Sequence, residues 1–291
     1  MSERTLSSLP STIGLYGRAA LGSLPLAGKL PFLAGGGGEM PDTELVLTDV
    51  GVETERLAEY CRVCGFTVRD TLPATYPHVL AFPLHMALMT QGDFPFPAVG
   101  LVHVQNRIEH KRPIGISERL EVRVNAGALE SHPKGRTFTL HTAVTASGEE
   151  VWRSQSTNLR RGNGDDSARD SGLSFDAGLP TEAEWPLPGD LGRRYGAVSG
   201  DRNPIHMYGI TAKAFGFPRQ IAHGMWTKAR CVAALEPRLP DSFSVEVAFK
   251  RPVLLPSKVI FSTGGDSNAV GFGVSAKRDG SPHLAGTAGS L

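Results

Sequence analysis

The clearest pattern in the chain is alternation. In residues 118–128, Leu120, Val122 and Val124 fall on one face of an extended segment, while Glu121, Arg123 and Asn125 fall on the other. This is the period-two signature of a strand with one buried face. Similar runs predict strands over residues 99–109, 137–145 and 151–160, and later over 243–250, 259–264, 269–276 and 283–290. Helical signals precede each set. The first are residues 52–63 and a short buried helix within FPLHMALM, 82–89. In the second set, Asn203 is a good N-cap and Pro204 suits the first helical position, so a helix should run through MYGITAKAF toward Gly216. Another follows Gly224, with Met225, Val232, Ala233 and Leu235 buried and Glu236-Pro237 closing it. Helices followed by a run of strands, twice over, predict an α+β class.

The chain also repeats itself. Glu59-Tyr60 with Cys64-Gly65 precedes Arg194-Tyr195 with Ser199-Gly200 by 135 positions, and Phe82-Pro83 precedes Phe217-Pro218 by the same offset. Lys111-Arg112-Pro113 and Lys250-Arg251-Pro252 are 139 apart, so the second copy should carry about four extra residues around its central helix. In this register Phe66 faces Asp201 and Thr71 faces His206. The first copy thus lacks both the carboxylate and the imidazole, and the expected division is an extension over residues 1–41, a degenerate first copy over 42–161, a linker over 162–183 rich in Gly, Ser and Asp, and a catalytic second copy over 184–291. One or two short surface helices are expected before Pro41, from pieces such as IGLYGRAALGSL ahead of the glycines at 35–38.

Composition narrows the function. The 291 residues suffice for two domains, and 40% hydrophobic with 20% charged residues describes a globular protein. A net charge of +1 gives no footprint for nucleic acid or anionic membrane. No stretch approaches the ~20 apolar residues of a membrane span, and Pro10, Gly14, Arg18 and Pro25 interrupt any apolar core of a signal peptide. Three cysteines do not make a disulfide framework, and an odd count points to a reducing compartment, the cytoplasm. Cys61 and Cys64 form a CxxC without a second pair, which reads as two apolar helix-face thiols. His85, His103, His110 and His141 sit in apolar or strand contexts and read as structural, as does Tyr195.

The chemistry concentrates in YGAVSGDRNPIH, residues 195–206. Gly200 and Asn203-Pro204 are turn formers, so Asp201 and His206 should project from one short loop into a common cavity and hold a water molecule between them. That is equipment for general acid-base addition or removal of water. Gly224, at the start of the following helix, could offer a free N–H and the positive end of the helix dipole to a polarised carbonyl oxygen.

These residues resemble the MaoC-like (R)-specific enoyl-thioester hydratases and 3-hydroxyacyl-thioester dehydratases. That family's S-G-D-x-N-P-x-H motif is matched by Ser199, Gly200, Asp201, Asn203, Pro204 and His206, and its A-H-G by Ala222, His223 and Gly224. The resemblance covers residues 185–291, and the first copy through the repeat. It implies a double hotdog, two curved antiparallel sheets each wrapped around a central helix, forming a pseudo-dimer that stands alone or pairs again through sheet edges. It implies catalysis by Asp201 and His206, a thioester oxygen bound by the Gly224 amide, and a substrate carried on CoA or acyl carrier protein. No metal or redox cofactor is expected. His223 could act directly or only cap and pack. Lys250 and Arg251 could grip the carrier's phosphates or be ordinary solvated charges. A hotdog acyl-thioester hydrolase and a non-catalytic acyl-binding protein are the alternatives.

Overall fold

The runs of alternating residues form strands, and the helical segments lie against the sheet they build. The structure is a computed structural model that describes residues 2–10, 14–15, 38–98, 100–168, 172–266 and 269–291. The first half contains β1 (Ser2–Leu6), β2 (Thr43–Val50), α1 (Thr54–Cys64), α2 (Tyr76–Met89), β3 (Leu101–His110), β4 (Leu120–Ala126), β5 (Glu130–His132), β6 (Gly135–Ala146) and β7 (Glu149–Arg161). The second contains β8 (Thr181–Leu187), α3 (Leu191–Ser199), α4 (Pro204–Met207), α5 (Gly209–Ala214), α6 (Gly224–Leu235), β9 (Phe243–Phe249), β10 (Ser257–Gly265), β11 (Ala269–Ala276) and β12 (Pro282–Ser290).

The strands join into one sheet of order β1-β2-β4-β6-β7-β3-β9-β12-β11-β10-β8, with β5 on the side of β6. Every strand of the first half therefore precedes every strand of the second, and the halves meet where β3 pairs antiparallel with β9. Tyr76, Val79, Leu80, Ala81, Leu84 and Leu88 bury α2 on almost every side, as expected of a helix wrapped by its sheet. The short helix expected over 82–89 begins earlier, at Tyr76, and runs through Pro83, because burial outweighs one lost backbone hydrogen bond.

Several elements depart from expectation. Ser2–Leu6 is a strand running parallel to β2, where short helices were expected, and the sheet is thus not wholly antiparallel. The remaining expected helical pieces before Pro41 lie mostly outside the described residues. β8 opens at Thr181, inside the expected linker; its exposed Glu182 and Glu184 and its Pro186 mark an edge strand and mask its alternation. Tyr195 and Ser199 belong to a helix, α3, and the helix expected from Pro204 toward Gly216 is broken at Tyr208 into α4 and α5.

The repeat is present in a different register. Gly65 and Gly200 both end helices in the left-handed conformation, at φ 83° and 80°, and each N–H returns to the carbonyl four residues back, an offset of 135. The N–H groups of Leu72 and Ala222 bond to the carbonyls of Ile114 and Val253, at offsets of 150 and 139. The second copy therefore holds 15 extra residues before its central helix and 11 fewer after it. Residues 201–219 stand where the first copy has only 66–69. Thr71 corresponds to Ile221 and not to His206, each bridging to the matching loop, and Phe82-Pro83 has no relation to Phe217-Pro218.

The same correspondence locates a pseudo-twofold axis. Arg107 and Glu246 are equivalent at the offset of 139 and also face each other across β3·β9, with Nη1 3.3 Å from Oε2.

Candidate active site

The extra segment of the second half holds Asp201 and His206. After the left-handed Gly200, the Asp201 N–H donates to Ser199 Oγ at 3.1 Å, and the Asn203 N–H donates to Asp201 Oδ1 at 3.1 Å. Asn203 caps α4, accepting from the Ile205 N–H at 3.4 Å, and Pro204 supplies the first helical residue. That single turn delivers His206 into the interior. Its Nδ1–H donates to the Ile221 carbonyl at 2.8 Å, which leaves the Nε2 lone pair facing the cavity side of the ring.

Two glycines make room for this segment. A Cβ on Gly192 would stand 2.0 Å from the His206 carbonyl oxygen, and one on Gly196 would stand 2.7 Å from that of Asp201. The loop therefore lies directly on the backbone of α3. At the offset of 135, α1 has Leu57 and Cys61 in these positions, both buried in the apolar core. Neither glycine stood out in the sequence, because their signal is visible only in comparison with the other copy.

His223 has a clearer part than the sequence suggested. It is the N-cap residue of α6, its Nε2–H donates to the Asp201 main-chain carbonyl at 3.0 Å, and its ring stacks on that of His206 at 3.6 Å. It thus holds the Asp201 backbone and the His206 ring together. Burial lowers the His206 pKa against the opposing pull of Asp201; burial, reinforced by His206, takes His223 down to about 3. Both imidazoles are neutral at physiological pH. Gly224 opens α6, so its N–H has no intrahelical partner, and the Phe249 ring packs 3.1 Å from where its Cβ would be. Tyr195 is buried against His223 and the matching Tyr60, a packing position.

Asp201, His206, His223 and Gly224 line a cavity of about 460 Å³. Lys250 and Arg251 line it too, following β9, and Arg251 Nη1 donates to Ser281 Oγ. The first half forms the opposite wall. His85 and His103, read as structural, reach this cavity with His78. His110 and His141 do not line it.

The pseudo-symmetric position in the first half holds a cavity of only about 110 Å³, bordered by Phe66, Leu72, Ala74 and His110. These correspond to Asp201, Ala222, Gly224 and Phe249. Phe66 is buried there against Tyr60, and the Ala74 carbonyl accepts from Trp152 Nε1. Cys61 and Cys64 are buried free thiols, and burial raises Cys61 to about 11 and Cys64 further, so the CxxC is inert as read.

Asp201, His206 and His223 present ligand atoms within 4.8 Å of one another, close enough to share a small guest. One nitrogen of each histidine is committed to a main-chain carbonyl. The Asp201 carboxylate and His206 Nε2 are two acceptors that suit a water molecule with two hydrogens to give, whereas His223 Nδ1 is buried without a partner. Among the described residues, no helix is long and apolar enough to cross a membrane.

Comparison with known proteins identifies the family. Residues 175–281 match the model of the MaoC like domain. The chain is 34% identical to 3-hydroxyacyl-thioester dehydratase X of Mycobacterium tuberculosis, over 97% of this chain and 99% of that protein. It is 24% identical to the enoyl-CoA hydratase ChsH3 of the same organism, over 73% and 79% of the two chains. The crystal structure of HtdX of M. tuberculosis superposes with a TM-score of 0.76 over 85% of this chain and all of that one. A double-hotdog protein of that organism, 13% identical with a TM-score of 0.53, shares the fold alone, over 88% of this chain and 96% of the other. The chain belongs to the MaoC-like dehydratase family, in its double-hotdog form.

Proposed function

We propose that the protein interconverts trans-2-enoyl thioesters and (R)-3-hydroxyacyl thioesters, as a hydro-lyase of fatty-acid metabolism. The observation that carries this reading is the pairing of Asp201 with a neutral His206 whose Nε2 faces the cavity as an acceptor, beside the Gly224 N–H, which has no intrahelical partner. In hydration, a water gives one hydrogen bond to the Asp201 carboxylate and one to His206 Nε2. Asp201 takes a proton as the water oxygen bonds to C3. The C2=C3 electron pair moves toward the thioester, and the Gly224 N–H stabilises the charge that develops on its oxygen. C2 then takes up a proton from the Asp201 carboxyl, so the elements of water are added and the carboxylate is restored. Dehydration is the reverse. Because the thioester itself acidifies the α-proton, the scheme needs no metal or redox cofactor.

Lys250 and Arg251 suit the phosphates of CoA or an acyl carrier protein. Three buried free thiols suit a reducing compartment such as the cytoplasm. The test is loss of absorbance at the enoyl-thioester band with trans-2-enoyl-CoA substrates, run beside Asp201→Asn. Rapid loss that vanishes in the variant supports the reading; thiol release without hydration would assign a thioester hydrolase instead.

A further inference from the structure

The wall supplied by the first half is more polar than an alkyl chain requires. Along α2, His78, Phe82, His85, Met86 and Met89 fall on one face and line the cavity. His85 is satisfied by Thr142 Oγ1 at 2.8 Å. His78 is not: it is only 8% exposed, and its Nδ1 has no partner in the protein. His103 likewise leaves Nε2 buried and unpartnered, and its ring lies 6.3 Å from that of His78. The register of β3 against β7 shifts between His103 and Gln105, and residues 101–105 all border the cavity.

The rings form a path away from the reacting centre. Phe249 packs against Gly224, His103 lies 5.1 Å from Phe249, and His78 and then His85 follow toward the apolar Met86 and Met89. We propose that His78 and His103 form a polar subsite in the acyl arm, selecting enoyl thioesters whose chain bears a hydroxyl or carbonyl oxygen several bonds beyond the reacting carbons. This rests on the hydratase reading for the thioester end of the ligand. A plain alkyl chain would leave both nitrogens buried without partners, whereas a placed oxygen would satisfy them. Burial holds both imidazoles neutral, His103 at about 4 and His78 well below its usual range, which favours an uncharged oxygen over a carboxylate. The matching residue of the second half shows the contrast. Lys228, the equivalent of His78 at the offset of 150, is fully buried, and its three donors meet the Asn106 carbonyl, Asn106 Oδ1 and the Val245 carbonyl.

The test is calorimetric binding of octanoyl-CoA against octanoyl-CoA carrying a hydroxyl or oxo group at each of carbons 5 to 8, with turnover of the matching trans-2-enoyl-CoAs measured in parallel. One positional isomer is expected to bind at least about tenfold more tightly than the alkyl chain, the kind of discrimination a buried hydrogen-bonding site gives. In His78→Phe and His103→Phe that ratio should fall toward one. His78→Gln and His103→Gln, which keep a hydrogen-bonding group, should retain part of it. No preferred isomer in the native protein overturns the subsite whatever the variants do. So does an equal loss for alkyl and oxygenated ligands, which would place the histidines against the carrier arm or in packing alone. Selective binding without hydration would refute the hydratase reading and leave the subsite standing.

Discussion

The two halves share a sheet, a pair of helices and a left-handed glycine at the same point, yet one encloses about 460 Å³ and the other about 110 Å³. The difference is concentrated in one loop. Where the second half places 19 residues after that glycine, the first places four, and Phe66 closes the space that Asp201 opens. The first half has a shorter loop and larger residues beneath it, with Leu57 and Cys61 in place of Gly192 and Gly196. The fold is shared, and the first half supplies a wall to the cavity of the second.

The sharpest break of this comparison is substitution at equivalent positions. Asp201→Asn should lower kcat by about a thousandfold or more with the fold preserved, since it removes the proton acceptor, while Phe66→Leu should change it less than about twofold. Steady-state kinetics with circular dichroism would check both, and a large kinetic loss at Phe66 would mean the active copy had been misassigned. Next come the floors of the two loops. Gly192→Ala drives a methyl into the His206 carbonyl and should reduce kcat/KM by about a hundredfold, because small displacements of a catalytic loop are costly. Leu57→Ala at the matching site should cost about 2–5 kcal/mol of stability and leave the turnover of folded molecules nearly intact. Denaturant titration and single-substrate kinetics separate those outcomes.

The buried histidines connect both halves through pH. His85 and His223 are pushed down to about 3 by burial, and His103 and His110 to about 4. Between those values and the unfolded pKa near 6.5, the unfolded chain binds more protons than the native one, so stability falls as pH falls through that window. Each group contributes a slope of roughly 1.4 kcal/mol per pH unit, lost progressively below about pH 6.5 and constant above it. Urea midpoints from pH 8 to 5 would show it, and a flat profile would mean that these imidazoles are not held neutral. The smallest effect belongs to metal: chelation with EDTA should leave hydration unchanged, as read by the same absorbance assay.

Much of this was legible in the sequence. The alternation in β4, β6 and β7 and the capping pair Asn203-Pro204 are local signals, and local physics decides them. The motif from Ser199 to His206 gave the carboxylate and the imidazole because residue type carries their chemistry. Other features depend on contacts far away in the chain. β8 hides its pattern because only one of its edges is paired, and the repeat register slipped because an insertion of 15 and a deletion of 11 nearly cancel in the spacing of flanking motifs. His223 as a clamp and His103 as cavity wall could not be read locally, since one depends on the Asp201 carbonyl and the other on a register shift.

Arg107 and Glu246 face each other on the pseudo-twofold axis, 3.3 Å apart. In a true dimer of identical subunits a residue in that position would meet its own copy. Two first halves would bring arginine against arginine there, and two second halves glutamate against glutamate. Only the unlike pair is neutral. The ion pair is thus a contact that two unlike halves make on their axis and that a pairing of like halves would replace by a repulsion.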